Sequence, residues 1–124
     1  MAQTPEGRVK DAIKKYLKSI GAWYFMPVSN GMGQVGIPDI ICCYKGQFIA
    51  VETKAPGKLA NVTANQERVM EAIRGADGWA TVVDNVDQLE KFILAIDSYQ
   101  ILEHGNATVN STKIEVSKVL QRTP

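Results

Sequence analysis

The chain has no hydrophobic run that would span a bilayer. Its longest strongly apolar stretch, Ala22–Val28, is interrupted by Pro27 and is far shorter than the ~20 residues a membrane helix needs. The opening Met1-Ala2-Gln3-Thr4-Pro5-Glu6 is polar and lacks the apolar core of a signal peptide. Cysteine is scarce: the only two, Cys42 and Cys43, are adjacent, which is poor geometry for a disulfide and excludes a disulfide framework. Three sequons (Asn61-Val62-Thr63, Asn106-Ala107-Thr108, Asn110-Ser111-Thr112) therefore read as accidental. The single histidine, His104, lies in a polar tail with no partner that spacing identifies, and is read as solvated rather than catalytic. There is no internal repeat and no low-complexity segment. A soluble, cytoplasmic protein from a reducing compartment is expected.

What remains is an ordinary globular composition. The 124 residues are 45% hydrophobic and 22% charged, which fits one domain with a core of its own. The net charge of +1 is unevenly spread: residues 1–58 carry eight Lys/Arg against four Asp/Glu, and residues 59–124 carry six against nine. A basic N-terminal half suits a polyanionic partner, although solvated helix faces produce similar imbalances.

The local signals order themselves along the chain. Thr4-Pro5-Glu6 opens a helix with a capping hydroxyl, a proline at the first turn and an acid at the positive end of the dipole. Val9, Ile13, Tyr16, Leu17 and Ile20 recur at helical spacing until Gly21, with Lys10, Lys14, Lys15 and Lys18 pointing away from that stripe. A strand is expected at 23–28, followed by a glycine-rich loop from Ser29 to Gly36. Runs 39–44 and 47–54, separated by Lys45-Gly46, read as a β-hairpin. Thr63 caps a helix to about Arg74, a strand follows at 79–83, and Asn85 caps a last helix to about Ser98. The hairpin is apolar on both faces: Ile41, Cys43, Phe48 and Ala50 on one, Ile40, Cys42, Ile49 and Val51 on the other. Such a strand pair belongs inside a sheet covered by helices on both sides, so the expected class is α/β, with a mixed sheet.

The hairpin also carries the chemistry. A two-residue turn pairs Tyr44 with Gln47, and the same register brings Asp39 opposite Glu52, with Cβ atoms ~4.5–5.5 Å apart. Opposed carboxylates repel, and a divalent cation is the simplest group to offset that. Lys54, two residues beyond Glu52, projects to the same face. A hard cation such as Mg²⁺ prefers oxygen ligands, lowers the pKa of its bound water and leaves room for a phosphate. An adjacent lysine stabilises the charge that builds during phosphoryl displacement. Asp39, Glu52 and Lys54 together suit phosphodiester hydrolysis. Spacing also allows a blander reading, in which Glu52 and Lys54 form a solvated pair at a strand end and Asp39 caps a turn after Pro38. A three-residue turn would shift the register and break the opposition.

Ile37-Pro38-Asp39 followed by Val51-Glu52-Thr53-Lys54 resembles the signature of the PD-(D/E)xK nuclease superfamily. The wider pattern resembles its VRR-NUC branch: Gly36-Ile37-Pro38-Asp39, Glu52-Thr53-Lys54, Gly57-Lys58, Gln66, then Gly78-Trp79-Ala80-Thr81-Val82-Val83. The resemblance implies a restriction-endonuclease-like αβββαβ core over residues 1–99, with 100–124 as an extension of uncertain structure. It implies that Asp39, Glu52, the Thr53 carbonyl and Glu6 on the first helix hold Mg²⁺ or Mn²⁺, and that Lys54 is the catalytic lysine, with Gln66 in the site. Glu6 also has a reading as a dipole-favoured acid in a first turn, and Thr63-x-x-Gln66 is a capping box. Ser29, Asn30 and Lys58 are expected to contact DNA.

Gly31-x-Gly33-x-x-Gly36 fits a dinucleotide fingerprint in letters only, because Pro38 and the strand after it forbid the helix that such a site needs. The function expected from the resemblance is a metal-dependent, structure-specific DNA endonuclease, a homodimer of the Holliday-junction-resolvase type acting on branched or duplex DNA. The alternatives are a flap, fork or restriction-like endonuclease, and a catalytically silent DNA-binding module with the same fold.

Overall fold

The structure, a computed structural model, describes residues 3–28 and 35–105. Helix α1 (Pro5–Ser19) starts as expected, with the Thr4 hydroxyl accepting the Gly7 amide at 3.0 Å. Strands β1 (Trp23–Phe25), β2 (Ile40–Tyr44) and β3 (Gln47–Thr53) follow, then a short 3₁₀ turn (Leu59–Asn61), helix α2 (Ala64–Gly75), strand β4 (Trp79–Val83) and helix α3 (Val86–Gly105). The four strands form one sheet in the order β1-β2-β3-β4, antiparallel except for the parallel β3–β4 pair. This is the mixed α/β sheet with helices on both faces that the sequence predicts. Among the described residues no helix is long and apolar enough to cross a membrane.

The β2–β3 turn sets the register. Lys45 and Gly46 both have positive φ, 49° and 79°, the pattern of a two-residue hairpin turn whose twist matches its strands. Tyr44 then pairs with Gln47 and Ile40 with Val51, as the two-residue reading requires. The inward face of the sheet packs on α1 and α3: Ile13, Leu17, Ile40, Ile49, Val51, Leu89 and Ile96 are completely or almost completely buried there. Burying each large aliphatic side chain contributes roughly 1.5–3 kcal/mol. Trp79 anchors this core, edge-on to Phe92 and Tyr99, and its indole N–H reaches Gln47 Oε1 at 2.8 Å.

Three expectations need correction. Strand β1 ends at Phe25 instead of running to Val28, in keeping with Pro27, which has no amide to give to a ladder. Helix α3 does not stop near Ser98 but continues to Gly105, because Tyr99 is buried in the core and the Gln100 side chain donates to the Lys45 carbonyl at 3.0 Å. Finally, the outward face of the hairpin is only half covered. Ala50 and Ala80 lie under Met70 of α2, but Phe48 and Cys43 are exposed, as are Trp23 and Phe25 beside them. The reason is topological: α2 links neighbouring parallel strands β3 and β4 and lies over them at Ala50 and Ala80, so it leaves β1, most of β2 and the hairpin end of β3 uncovered.

Candidate active site

The site forms at the open end of the hairpin, where the ladder runs out. Asp39 lies one residue before the Ile40–Val51 pair, at the next position of the same register. Its Oδ2 accepts the Thr53 amide at 3.0 Å and the Thr53 hydroxyl at 2.7 Å, so the aspartate replaces a backbone acceptor and is locked to β3. The loop before it is drawn against the start of α2 by Gly36. This residue has φ +88°, and a Cβ there would lie 2.5 Å from the Asn65 carbonyl group. Only glycine fits that approach, which explains a glycine three residues before Asp39.

Glu52 and Lys54 project from the same face of β3, and both are almost fully buried. Lys54 Nζ lies 3.3 Å from Glu52 Oε2 and donates to Gln66 Oε1 at 3.0 Å. Gln66 Nε2 donates to the same Glu52 oxygen at 2.8 Å, which closes a three-membered network. Gln66 also completes the capping box, with its Oε1 accepting the Thr63 amide at 3.0 Å and its own amide bonding the Thr63 hydroxyl. The cap and the site are one structure, and the cap fixes the rotamer that aims the amide at Glu52. Behind the network, the Lys54 amide donates to the Val83 carbonyl, and buried Asp84 accepts the Gly57 amide, which ties the turn after β3 to the end of β4.

The electrostatics single out Glu52. Burial, and after it the charge of Asp39, raise its carboxyl from the usual 4.5 to about 6, against the opposing pull of Lys54. Its second oxygen, Oε1, is buried and has no hydrogen-bond partner among the described residues. An unsatisfied buried carboxylate oxygen is costly and calls for an occupant. A cation that accepts one or two carboxylates and fills its remaining positions with water and phosphate matches this donor set.

No family model matches the chain, and no curated protein matches it. Among solved structures it is similar to one described as a VRR-NUC domain, with a TM-score of 0.59 and 28% identity over 73% of this chain and 96% of that one. The chain resembles a VRR-NUC domain in fold and in sequence. That likeness supports a function of the nuclease type.

In this chain the structure brings together Asp39, Glu52, Thr53, Lys54 and Gln66, but it does not bring in every residue that was expected. Thr53 meets Asp39 through its amide and hydroxyl. Among the described residues no three Asp, Glu, His or Cys side chains are grouped to hold a metal, so half-buried Glu6 does not complete a trio with Asp39 and Glu52. One helical turn further along α1, Lys10 reaches Asp39 instead, with Nζ 3.8 Å from Oδ1. The helical pattern places Lys10 on the polar side of α1, and only the packing of α1 over the end of the sheet turns it toward the site. Lys58 stands exposed on the turn before the 3₁₀ segment, and Ser29 and Asn30 lie outside the described residues.

Proposed function

We propose that this chain is a divalent-metal-dependent, structure-specific DNA endonuclease that acts as a homodimer on four-way junctions, in the manner of a Holliday-junction resolvase. The observation that carries the reading is the unpartnered, buried Glu52 Oε1 beside Asp39 and Lys54. It supplies a ligand position that no described residue uses. Asp39 and Glu52 are the carboxylates that would hold Mg²⁺ or Mn²⁺ there. When bound, the ion supplies a water of lowered pKa and neutralises charge on the phosphate.

The chain's own groups do the rest. Thr53 holds Asp39 by two hydrogen bonds, leaving Oδ1 facing outward toward Lys10. Lys54 spends two of its three N–H donors on Glu52 and Gln66, and the third is available for a phosphate oxygen as negative charge develops in the transition state. Gln66 fixes the position of that ammonium and excludes water from its inner side. The reaction adds water across one P–O bond: the water oxygen bonds to phosphorus, and the leaving sugar oxygen takes the proton.

The basic N-terminal half, which contains Lys10, favours a polyanion near this end of the sheet. A panel of four-way junction, flap, fork and linear duplex DNA, incubated with Mg²⁺ or with chelator, tests the reading. Symmetric metal-dependent cutting of the four-way junction is expected. Cleavage confined to flaps would replace the resolvase assignment with a flap nuclease.

A further inference from the structure

Helix α1 brings a second lysine to the site. Lys10 Nζ lies 3.8 Å from Asp39 Oδ1, and both side chains are 26% exposed. The carboxylate next to it in the chain, Asp11, is engaged by Lys14 at 3.3 Å and by the Gln3 amide, and Lys10 reaches past it to the end of the sheet. The two lysines of the site are held in opposite ways. Lys54 is almost fully buried and fixed by contacts of 3.3 and 3.0 Å to Glu52 and Gln66. At 3.8 Å the Lys10 contact is too long for a hydrogen bond and is held by charge alone. A partly exposed ion pair of this kind contributes little, and a flexible four-carbon stem lets the ammonium change partners at small cost.

Asp39 makes that change specific. Thr53 takes Oδ2 with its amide and its hydroxyl, at 3.0 and 2.7 Å, which leaves Oδ1 as the oxygen that faces a cation. Lys10 and a divalent ion at Asp39 and Glu52 draw on that same oxygen, and their like charges repel at such short range. With Lys10 on Asp39, two carboxylates and two ammonium groups balance. An added divalent charge leaves the site positive, and a phosphate is the anion that restores neutrality. The helix favours such a ligand, since Arg8, Lys10, Lys14, Lys15 and Lys18 outnumber Glu6 and Asp11 along it.

We propose that Lys10 is a phosphate-binding residue that exchanges partners: it pairs with Asp39 Oδ1 until a divalent cation takes that oxygen, and then binds a phosphate of the DNA strand at the site. The proposal rests on the nuclease reading above and adds a coupling to it. Metal and DNA bind cooperatively through one side chain, because each favours the lysine released from Asp39, and the coupling is reciprocal.

The test begins without DNA. Lys10→Met keeps the aliphatic stem in a good helix former and removes the charge. Lys15→Met removes the same charge from an exposed position of the same helix. In calorimetric titration with Mn²⁺ alone, Lys10→Met should bind the ion about fivefold more tightly than wild type, the upper range for a partly exposed ion pair, and Lys15→Met should stay within about twofold. A lysine that only orients Asp39 would give the opposite sign, since its loss would loosen the ligand. Binding of a four-way junction is then measured with saturating Ca²⁺, which takes the same oxygen ligands, and with chelator. With Ca²⁺, Lys10→Met should bind the junction at least about fivefold more weakly than wild type and lose about one phosphate contact from the salt dependence. With chelator the two proteins should agree within about twofold, because Lys10 is then held by Asp39.

Lys10→Met that binds Mn²⁺ no more tightly than wild type overturns the proposal. So does a junction affinity that falls equally with Ca²⁺ and with chelator, which is the behaviour of an ordinary surface cation. Either failure leaves the nuclease reading standing where wild type cuts the junction in Mg²⁺. A wild type that binds no Mn²⁺ overturns both. Both effects in a wild type that cuts no DNA would leave the exchange of partners intact and overturn the nuclease assignment instead.

Discussion

Replacing Glu52 by Gln keeps the shape of the side chain and removes its titration, which isolates the most perturbed group in the site. Burial, and then the charge of Asp39, raise the Glu52 carboxyl from 4.5 to about 6. A carboxyl that holds its proton more tightly in the folded state stabilises the fold below its unfolded value of 4.5, and that contribution is lost as pH rises through about 6. The step is worth about 2 kcal/mol, and near-complete burial means solvent screening removes little of it. Urea unfolding in the presence of chelator, from pH 4.5 to 7.5, should therefore show wild type losing about 2 kcal/mol relative to Glu52→Gln. In melting temperature that is roughly 8 °C for a domain of this size. The amide also leaves buried Lys54 without its partner charge, but that shifts the whole variant curve and not its dependence on Glu52 protonation. Titrations shared by the two proteins cancel in the difference. A flat difference, or one in which wild type gains with rising pH, would show that the Lys54 pair outweighs burial and would refute the account of a buried, strained carboxylate.

Added Mg²⁺ or Mn²⁺ at pH 7.5 should raise the melting temperature of wild type with a logarithmic dependence on concentration and leave Asp39→Ala unmoved, as scanning fluorimetry would show. Gly36→Ala should cost about 3 kcal/mol in chemical denaturation, since the Cβ meets the Asn65 carbonyl in a left-handed backbone; a cost under 1 kcal/mol would contradict that packing. Gln66→Ala should cost about 1 kcal/mol through the lost cap and slow cleavage by at least tenfold with substrate affinity little changed; an unchanged rate would confine Gln66 to capping.

Much of this was legible in the sequence because short-range rules determine it. The Lys45-Gly46 turn dictates the hairpin register, the register places Asp39 beside Glu52, and strand alternation puts Lys54 on the same face. Thr4, Thr63 and Asn85 mark helix starts that the structure reproduces, the last through the Gln88 amide bonded to Asn85 Oδ1 at 3.0 Å. What was hidden depends on how elements pack. Lys10 lies on the polar side of a helical pattern and reaches Asp39 only because α1 crosses the end of the sheet. Phe48 and Cys43 alternate like core residues, and their exposure follows from where a β3–β4 crossover can place its helix. The extension of α3 past Ser98 follows from Tyr99 finding Trp79, a contact twenty residues away in the chain.

The central claim is that Asp39 and Lys54 cut DNA with a metal held at Glu52. It is tested most directly by cleavage of a labelled four-way junction in Mg²⁺ by wild type, Asp39→Ala and Lys54→Ala, with junction binding measured in parallel. The account predicts cleavage by wild type that chelator abolishes, a loss of at least about 1000-fold in each variant, and dissociation constants within about threefold of wild type. Near-wild-type cleavage by either variant in Mg²⁺, or wild-type cleavage that survives chelator, would contradict it.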